Sequence, residues 1–225
     1  MKKKQKNNQE KKLFAANWGF TQIFMFFLIG CIIGVYYEQI LNLIANGVWE
    51  SRQGLIYGPF NPVYGAGFAL FVLFLGKNIK KRKWYLTYIY ACLLGGAAEY
   101  ITCWISEVFF DARSWDYSHL FLNIQGRTTI PFMLFWGLGG LIFMLWVYPF
   151  IVKLLTKIPY KFGRILLPIL VTFMALNMLI SYSALIRQAN RLNDLPPANA
   201  FSRFLDRHYT DEFLAKYFTN WTRDN

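Results

Sequence analysis

The chain has 225 residues, 56% of them hydrophobic and 20% aromatic, and a net charge of +12. That is too apolar for a soluble domain of this length, and the apolar residues fall in blocks long enough to span a bilayer, so the composition defines a polytopic membrane protein. The cationic excess is confined to a few segments, and we read it as a topology signal rather than as a nucleic-acid surface.

Residues 1–19 form a basic arm with six Lys/Arg and one acid, Glu10. A first span runs from about Phe20 to Ala45. It is too long for the core of a cleavable signal and contains Glu38, so it is expected to stay in the mature protein. The next stretch, RQGLIYGPFNPVYGAG from Arg52 to Gly67, combines an arginine with two prolines, four glycines and two tyrosines. Pro59 lacks an N–H and has a fixed φ, which suits the first turn of a helix. A second segment is therefore predicted from Pro59 to about Gly76. It is shorter than the roughly 20 residues of a full span, so the Arg52 to Gly58 backbone has to be sheltered by protein or water. Further segments are predicted at Trp84 to Phe109, Ile130 to Val152 and Ile165 to Ile186.

The tail opens with a Pro196-Pro197 break. It then places Phe201, Phe204 and Leu205, and Phe213, Leu214, Tyr217 and Phe218, at helical spacing, with Thr210-Asp211-Glu212 as a helix start. Two short amphipathic helices on the outer face, or capping the outer loops, fit this pattern. The organisation is thus an arm (1–19), a membrane core (20–152), a fifth span (153–187) and an extracytoplasmic tail (188–225).

The arm, the Lys77–Lys83 loop and the Lys153–Arg164 loop hold 15 of the 24 Lys/Arg against Glu10 alone. The intervening segments on the other side carry nine Lys/Arg, Arg113 among them, and nine acids. The positive-inside rule then places the N-terminus in the cytoplasm and the tail outside, with attraction to anionic lipid as a secondary effect.

The core repeats itself. CIIGVYYEQILNLI from Cys31 matches CLLGGAAEYITCWI from Cys92, and PFNPVYGAGFALFVL from Pro59 matches PFMLFWGLGGLIFML from Pro131. Trp49-Glu50 and Trp115-Asp116 recur before Arg52 and Arg127. A duplicated helix pair in parallel orientation follows from this order. The duplication repeats the chemistry. Glu38 and Glu99 are intramembrane carboxylates, costing at least ~2.5 kcal/mol on insertion scales unless they face a cavity or the bundle. Around Glu99, Cys92, Gly95, Thr102, Cys103 and Ser106 share its helical face. Arg52 and Arg127 are the natural counter-charges, and a guanidinium suits either carboxylate or phosphate. Glu38, Arg52, Tyr57, Tyr64, Asn61, Glu99, Tyr100, Asn123 and Arg127 are the candidate ligand-binding residues of one outward-facing polar pocket.

Structural roles are expected elsewhere. Gly34, Gly65, Gly67, Gly95, Gly137 and Gly139 read as helix contacts, and Trp49, Trp84, Tyr85 and Trp115 as interfacial anchors. Asn177 reads as a helix-to-helix hydrogen bond, and His119 and His208 as surface histidines. The chain has no P-loop, nucleophile triad or metal motif, and no cofactor is expected. Cys31, Cys92 and Cys103 all lie in predicted helices, which suggests neither disulfides nor a thiolate zinc site.

RQGLIYGPFNPVYG, GGAAEYIT, WDYS and NIQGRTTIPFMLFWG resemble the bacterial ABC-transporter type IV membrane proteins, the CmpB-like family. The resemblance covers about Phe20 to Val152. It implies a permease component with a separate ATPase subunit in the plasma membrane. Family members commonly carry Cys where Asn61 stands, so Asn61 is not obligatory for chemistry. The sequence therefore reads as an all-α, five-span bundle serving as a transport or permease-like subunit rather than an enzyme. Two alternatives are an intramembrane enzyme acting on lipid-linked or phosphate-bearing substrates, with Glu99 as acid or base, and a non-catalytic interaction protein whose ion pairs are structural.

Overall fold

The computed structural model describes residues 13–110 and 115–219. The basic arm before Leu13, Arg113, the chain after Thr219 and the side chain of Ser106 lie outside what it describes. The fold is mostly helical, at 70%. The main helices are α1 (Phe20–Asn46), α2 (Pro62–Leu75), α3 (Trp84–Phe110) and α4 (Ile130–Ile142). A π-helical turn (Phe143–Val147) joins α4 to α5 (Tyr148–Leu155), and α6 (Tyr160–Leu192), α7 (Ala200–His208) and α8 (Asp211–Ala215) follow. Four apolar helical stretches, Phe20–Asn46, Trp84–Ile105, Ile130–Leu155 and Tyr160–Leu192, are long and apolar enough to cross a membrane. Their outward faces suit lipid: Ile44 is 76% exposed, Trp146 69% and Ile186 64%.

The expected second segment is helical but starts at Pro62 rather than Pro59. Asn61 caps it, its side-chain oxygen accepting from the Val63 amide at 3.1 Å, and Pro59 remains in the preceding loop. The remaining 14 residues reach only ~21 Å, short of a ~30 Å hydrocarbon core. In contrast α6, with 33 residues, is ~50 Å long and extends past both ends of the expected fifth span. The all-α expectation also needs one correction. Asn123–Ile124 (β1) and Thr128–Thr129 (β2) form a two-residue antiparallel ladder, with Asn123 opposite Thr129. Gln125 and Gly126 turn it with positive φ, 53° and 71°, a geometry that favours short hairpins.

The chain divides into two compact units, one made of the residues up to Gln22 with Leu70–Ile158, the other of Ile23–Ala69 with the chain from Pro159 on. In the first, α3 packs along α4. A Cβ added at Gly95 would overlap Trp136, one at Gly137 would overlap Cys92 Sγ, and one at Gly140 would overlap Ala91. The π turn sits where Pro149 withholds an N–H from the helix, and the Tyr148 amide reaches back to the Phe143 carbonyl. Gln22 bridges this unit, donating to the Ala15 carbonyl (2.9 Å) and accepting from the Tyr148 hydroxyl (2.8 Å).

In the second unit α1 meets the first turns of α2 through small residues. A Cβ at Gly34 would overlap Tyr64, one at Gly65 Cys31 Sγ, and one at Gly30 Phe68. Gly67 and Gly139 differ from the expectation, since open space surrounds both. Each lies two residues beyond a contact glycine, and two helical residues turn the face by about 200°. The core of this unit joins Ile56 of the loop to Ala184 and Leu185 of α6 and to Leu205, Tyr209, Leu214 and Phe218 of the tail. The second tail helix begins as expected, capped by Thr210 (from Phe213 N, 3.3 Å), and Asn199 caps the first (from Ser202 N, 2.9 Å). An ion network fixes them. Arg187, 6% exposed, binds both oxygens of Asp206 at 2.7 and 3.0 Å, and Arg191 bridges Asp206 and Asp211.

Candidate functional site

The unit containing α3 and α4 builds its polar cluster from one helix and the hairpin that follows it. Glu99 sits in α3, and its carboxylate accepts from the Thr128 hydroxyl at 2.6 Å and the Tyr117 hydroxyl at 3.2 Å. Thr128 and Thr129 are buried on β2. Thr129 caps α4 by accepting from the Phe132 amide at 3.2 Å, and Pro131 occupies the first turn as expected. Burial, reinforced by the Glu99 charge, pushes the Tyr117 phenol up, so it stays a donor.

Arg127 is expected from the sequence to pair with Glu99, and it does not. Its carboxylate partner is Glu107, reached by Nε at 2.9 Å and also by Nη2. Glu107 lies eight residues beyond Glu99 on the same helix, about 12 Å along its axis. That displacement puts the arginine at the helix end and leaves Glu99 to the hydroxyls. Arg127 Nη1 also donates to the Tyr100 hydroxyl at 2.8 Å, and the guanidinium lies 5.1 Å from the Tyr100 ring centre. The Glu107 hydrogen bonds push its pKa further up, leaving a fixed positive charge. Gln125, which the sequence reading did not single out, accepts from Tyr100 at 2.5 Å and from Arg127. Trp115 joins this cluster: its indole donates to the Arg127 carbonyl at 2.8 Å and its ring stacks on Tyr117. Asn123 is engaged in the turn, donating to the Ser118 and Leu120 carbonyls and accepting from the Gly126 amide.

The other unit has a cavity of about 210 Å³ bounded by Glu38, Arg52, Asn61 and Tyr182, with tail residues closing it. The Tyr64 hydroxyl lies against the Glu38 carboxylate. Arg52 is ion-paired with Glu50, whose carboxylate also accepts from Asn42 at 3.3 Å. As at Arg127, the arginine's carboxylate partner is a residue the sequence reading did not assign. Asn61 donates to the Arg52 carbonyl at 3.3 Å. Tyr57 is directed elsewhere. Its hydroxyl meets that of Tyr209 at 2.8 Å, and burial pushes the Tyr209 phenol up to about 12.

The loop carrying Arg52 is held at its backbone. Ser181 Oγ accepts from the Ile56 amide at 2.9 Å; Asn177 accepts from the Tyr57 amide at 3.2 Å and donates to the Tyr57 carbonyl at 2.7 Å. Asn177 therefore bonds a loop and not another helix. This is the shelter for irregular backbone that the sequence demanded. Ser51 adds contacts to the tail, donating to the Tyr217 carbonyl at 3.0 Å, while Thr219 donates to the Ser51 carbonyl at 2.8 Å. All three cysteines are free and buried, and among the described residues no cluster of three or more His, Cys, Asp or Glu could hold a metal.

Helices of membrane-crossing length, with carboxylates and arginines held between them and polar loops, define a helical membrane protein. The family described as "Putative ABC-transporter type IV" matches residues 25–182. The chain belongs to that family. The match runs beyond the expected end at Val152 and takes in most of α6, including Asn177 and Ser181. No curated protein and no solved structure matches the chain.

Proposed function

We propose that this chain is the permease-like subunit of a transport system in the plasma membrane, working with an ATPase carried on a separate chain. It crosses five times, N-terminus in and tail out, with α2 and its sheltered loop making the short crossing. Each helix pair supplies a polar binding cluster facing outward, and no covalent chemistry occurs on this chain. The observation carrying this reading is that both pairs repeat one arrangement. An intramembrane glutamate is met by hydroxyls, Tyr64 at Glu38 and Tyr117 with Thr128 at Glu99, and a following arginine is fixed by a second acid.

Shared ancestry of the pairs is supported by their packing. The offsets that align Cys31 with Cys92 and Gly65 with Gly137 also align the contacts. Gly34 meets Tyr64 where Gly95 meets Trp136, and Gly65 meets Cys31 where Gly137 meets Cys92. A carboxylate beside a fixed guanidinium suits a small polar or zwitterionic solute.

The test is copurification and coupling. A P-loop ATPase should copurify with the tagged chain, and its ATP hydrolysis in proteoliposomes should fall in Glu38→Gln and Glu99→Gln while both variants accumulate like the parent. A chain that purifies without an ATPase, or hydrolysis indifferent to both substitutions, would defeat the reading.

A further inference from the structure

A second concavity lies in the unit containing α3 to α5, and Glu99 does not line it. It encloses about 780 Å³ between Asn17 and Trp18, the Gly76–Lys81 turn, and the stretch Met144–Thr156 that includes the π turn. It is lined by Lys77, Lys80, Lys81 and Lys153, and among the described residues no acid lines it. These lysines form no ion pair with a described carboxylate, and Lys77 instead sits 5.4 Å from the Trp18 ring centre. The Trp18 indole is committed to the Val72 carbonyl at 2.9 Å, which fixes this wall. The lining also has an apolar part, with Leu145, Pro149 and Val152 on a helical stretch long enough to cross a membrane.

We propose that this cleft binds an anionic glycerophospholipid, its phosphate among the four ammonium groups and its acyl chains along Leu145 and Val152. Four point charges around a concave surface, with no ion-pair partner among the described residues, ask for a multiply coordinated anion. The apolar wall continuous with a span asks for a molecule whose anion is attached to hydrocarbon. A soluble phosphate would use the first feature and leave the second without a purpose. The volume falls within the ~300–1,000 Å³ range of small-ligand sites. Trp18 and Tyr148 are the side-chain types that settle at headgroup depth.

The test titrates the purified full-length chain in neutral detergent with short-chain phosphatidylglycerol, phosphatidylcholine or inorganic phosphate. Near-surface lysines contribute about fivefold each, so Lys77→Gln with Lys153→Gln should weaken phosphatidylglycerol about 25-fold, and the charge-matched pair Lys157→Gln with Lys161→Gln, outside the cleft, less than about threefold. Lys80→Gln with Lys81→Gln, in the exposed turn, serves if the first pair fails to accumulate and should weaken binding comparably. Phosphatidylcholine should not compete. Equal losses in cleft and control pairs, or equal competition by phosphatidylcholine, would overturn the site. Inorganic phosphate binding with the same lysine dependence while the lipid does not would overturn the lipid as occupant.

Discussion

Asn177→Leu tests how the arginine-bearing loop is held. Asn177 is 2% exposed and makes two hydrogen bonds to the Tyr57 backbone, at 3.2 and 2.7 Å. Leucine keeps the branching of the side chain but leaves the Tyr57 amide and carbonyl without these partners. Each orphaned buried group costs ~1–3 kcal/mol, and because Tyr57 is 44% exposed each falls at the lower end, ~1–1.5 kcal/mol. The variant should lose ~2–3 kcal/mol, a drop of roughly 5–10 °C in Tm for a chain of this size. The loss is local before it is global, so amide hydrogen exchange at Ile56 to Gly58 should accelerate roughly 30–160-fold. Asn177→Asp keeps the acceptor for the Tyr57 amide but cannot donate to the carbonyl, and should show an intermediate gain at Tyr57. Unchanged exchange at these amides in Asn177→Leu, with an unshifted Tm, would refute the argument that side chains of α6 replace the missing backbone partners.

Hydrogen bonds from Arg187 hold the Asp206 carboxyl below its usual range. A lowered folded-state value means that its stabilisation is complete above the unfolded value of ~3.9 and lost as pH falls through the folded one. The Tm gap between the parent and Asp206→Asn should therefore persist from pH 7 to about 5 and narrow below ~4; a constant gap would contradict this. Gly137→Val, placed against Cys92, should prevent the pairing of α3 with α4 and lower the monodisperse yield on size exclusion, while Gly139→Val in open space should not. For orientation, a membrane-impermeant thiol reagent should label Arg203→Cys in intact cells and spare Asn78→Cys; the reverse pattern would exclude the N-in topology.

The helices were legible because apolar blocks and charged loops are set by bilayer thickness and membrane insertion, which act on local sequence. The tail caps at Thr210 and the shelter needed by Arg52 to Gly58 could be read for the same reason. The start of α2 was misplaced because Pro59 and Pro62 both satisfy the first-turn rule, and only the Asn61 cap decides between them. The arginine partners were missed for a geometric reason. Pairing each arginine with the repeat's internal glutamate ignores distance along the helix, while Glu50 and Glu107 stand at the level where the loops return. Gln125 entered the cluster through a hairpin turned by a non-glycine residue at positive φ, and nothing in NIQGR marks Gln125 for that role. Asn177 gave a visible signal, a lone amide in a span, but its partner was main chain, which no side-chain pattern can reveal.

The contacts that hold the Ser51 to Tyr57 loop join residues far apart in the order of synthesis, by 120 and 125 positions for Asn177 and Ser181 and by 166 and 168 for Tyr217 and Thr219. At ~5–20 residues per second, the last of these partners emerges on the order of ten seconds or more after the loop. During that interval the loop and Arg52 wait beside the nascent helices with their main-chain groups still bonded to water. The second unit is therefore finished from its C-terminal end. A ribosome stalled before Asn177 would leave α1 and α2 inserted while the loop stays open to protease, and release through Thr219 would close it.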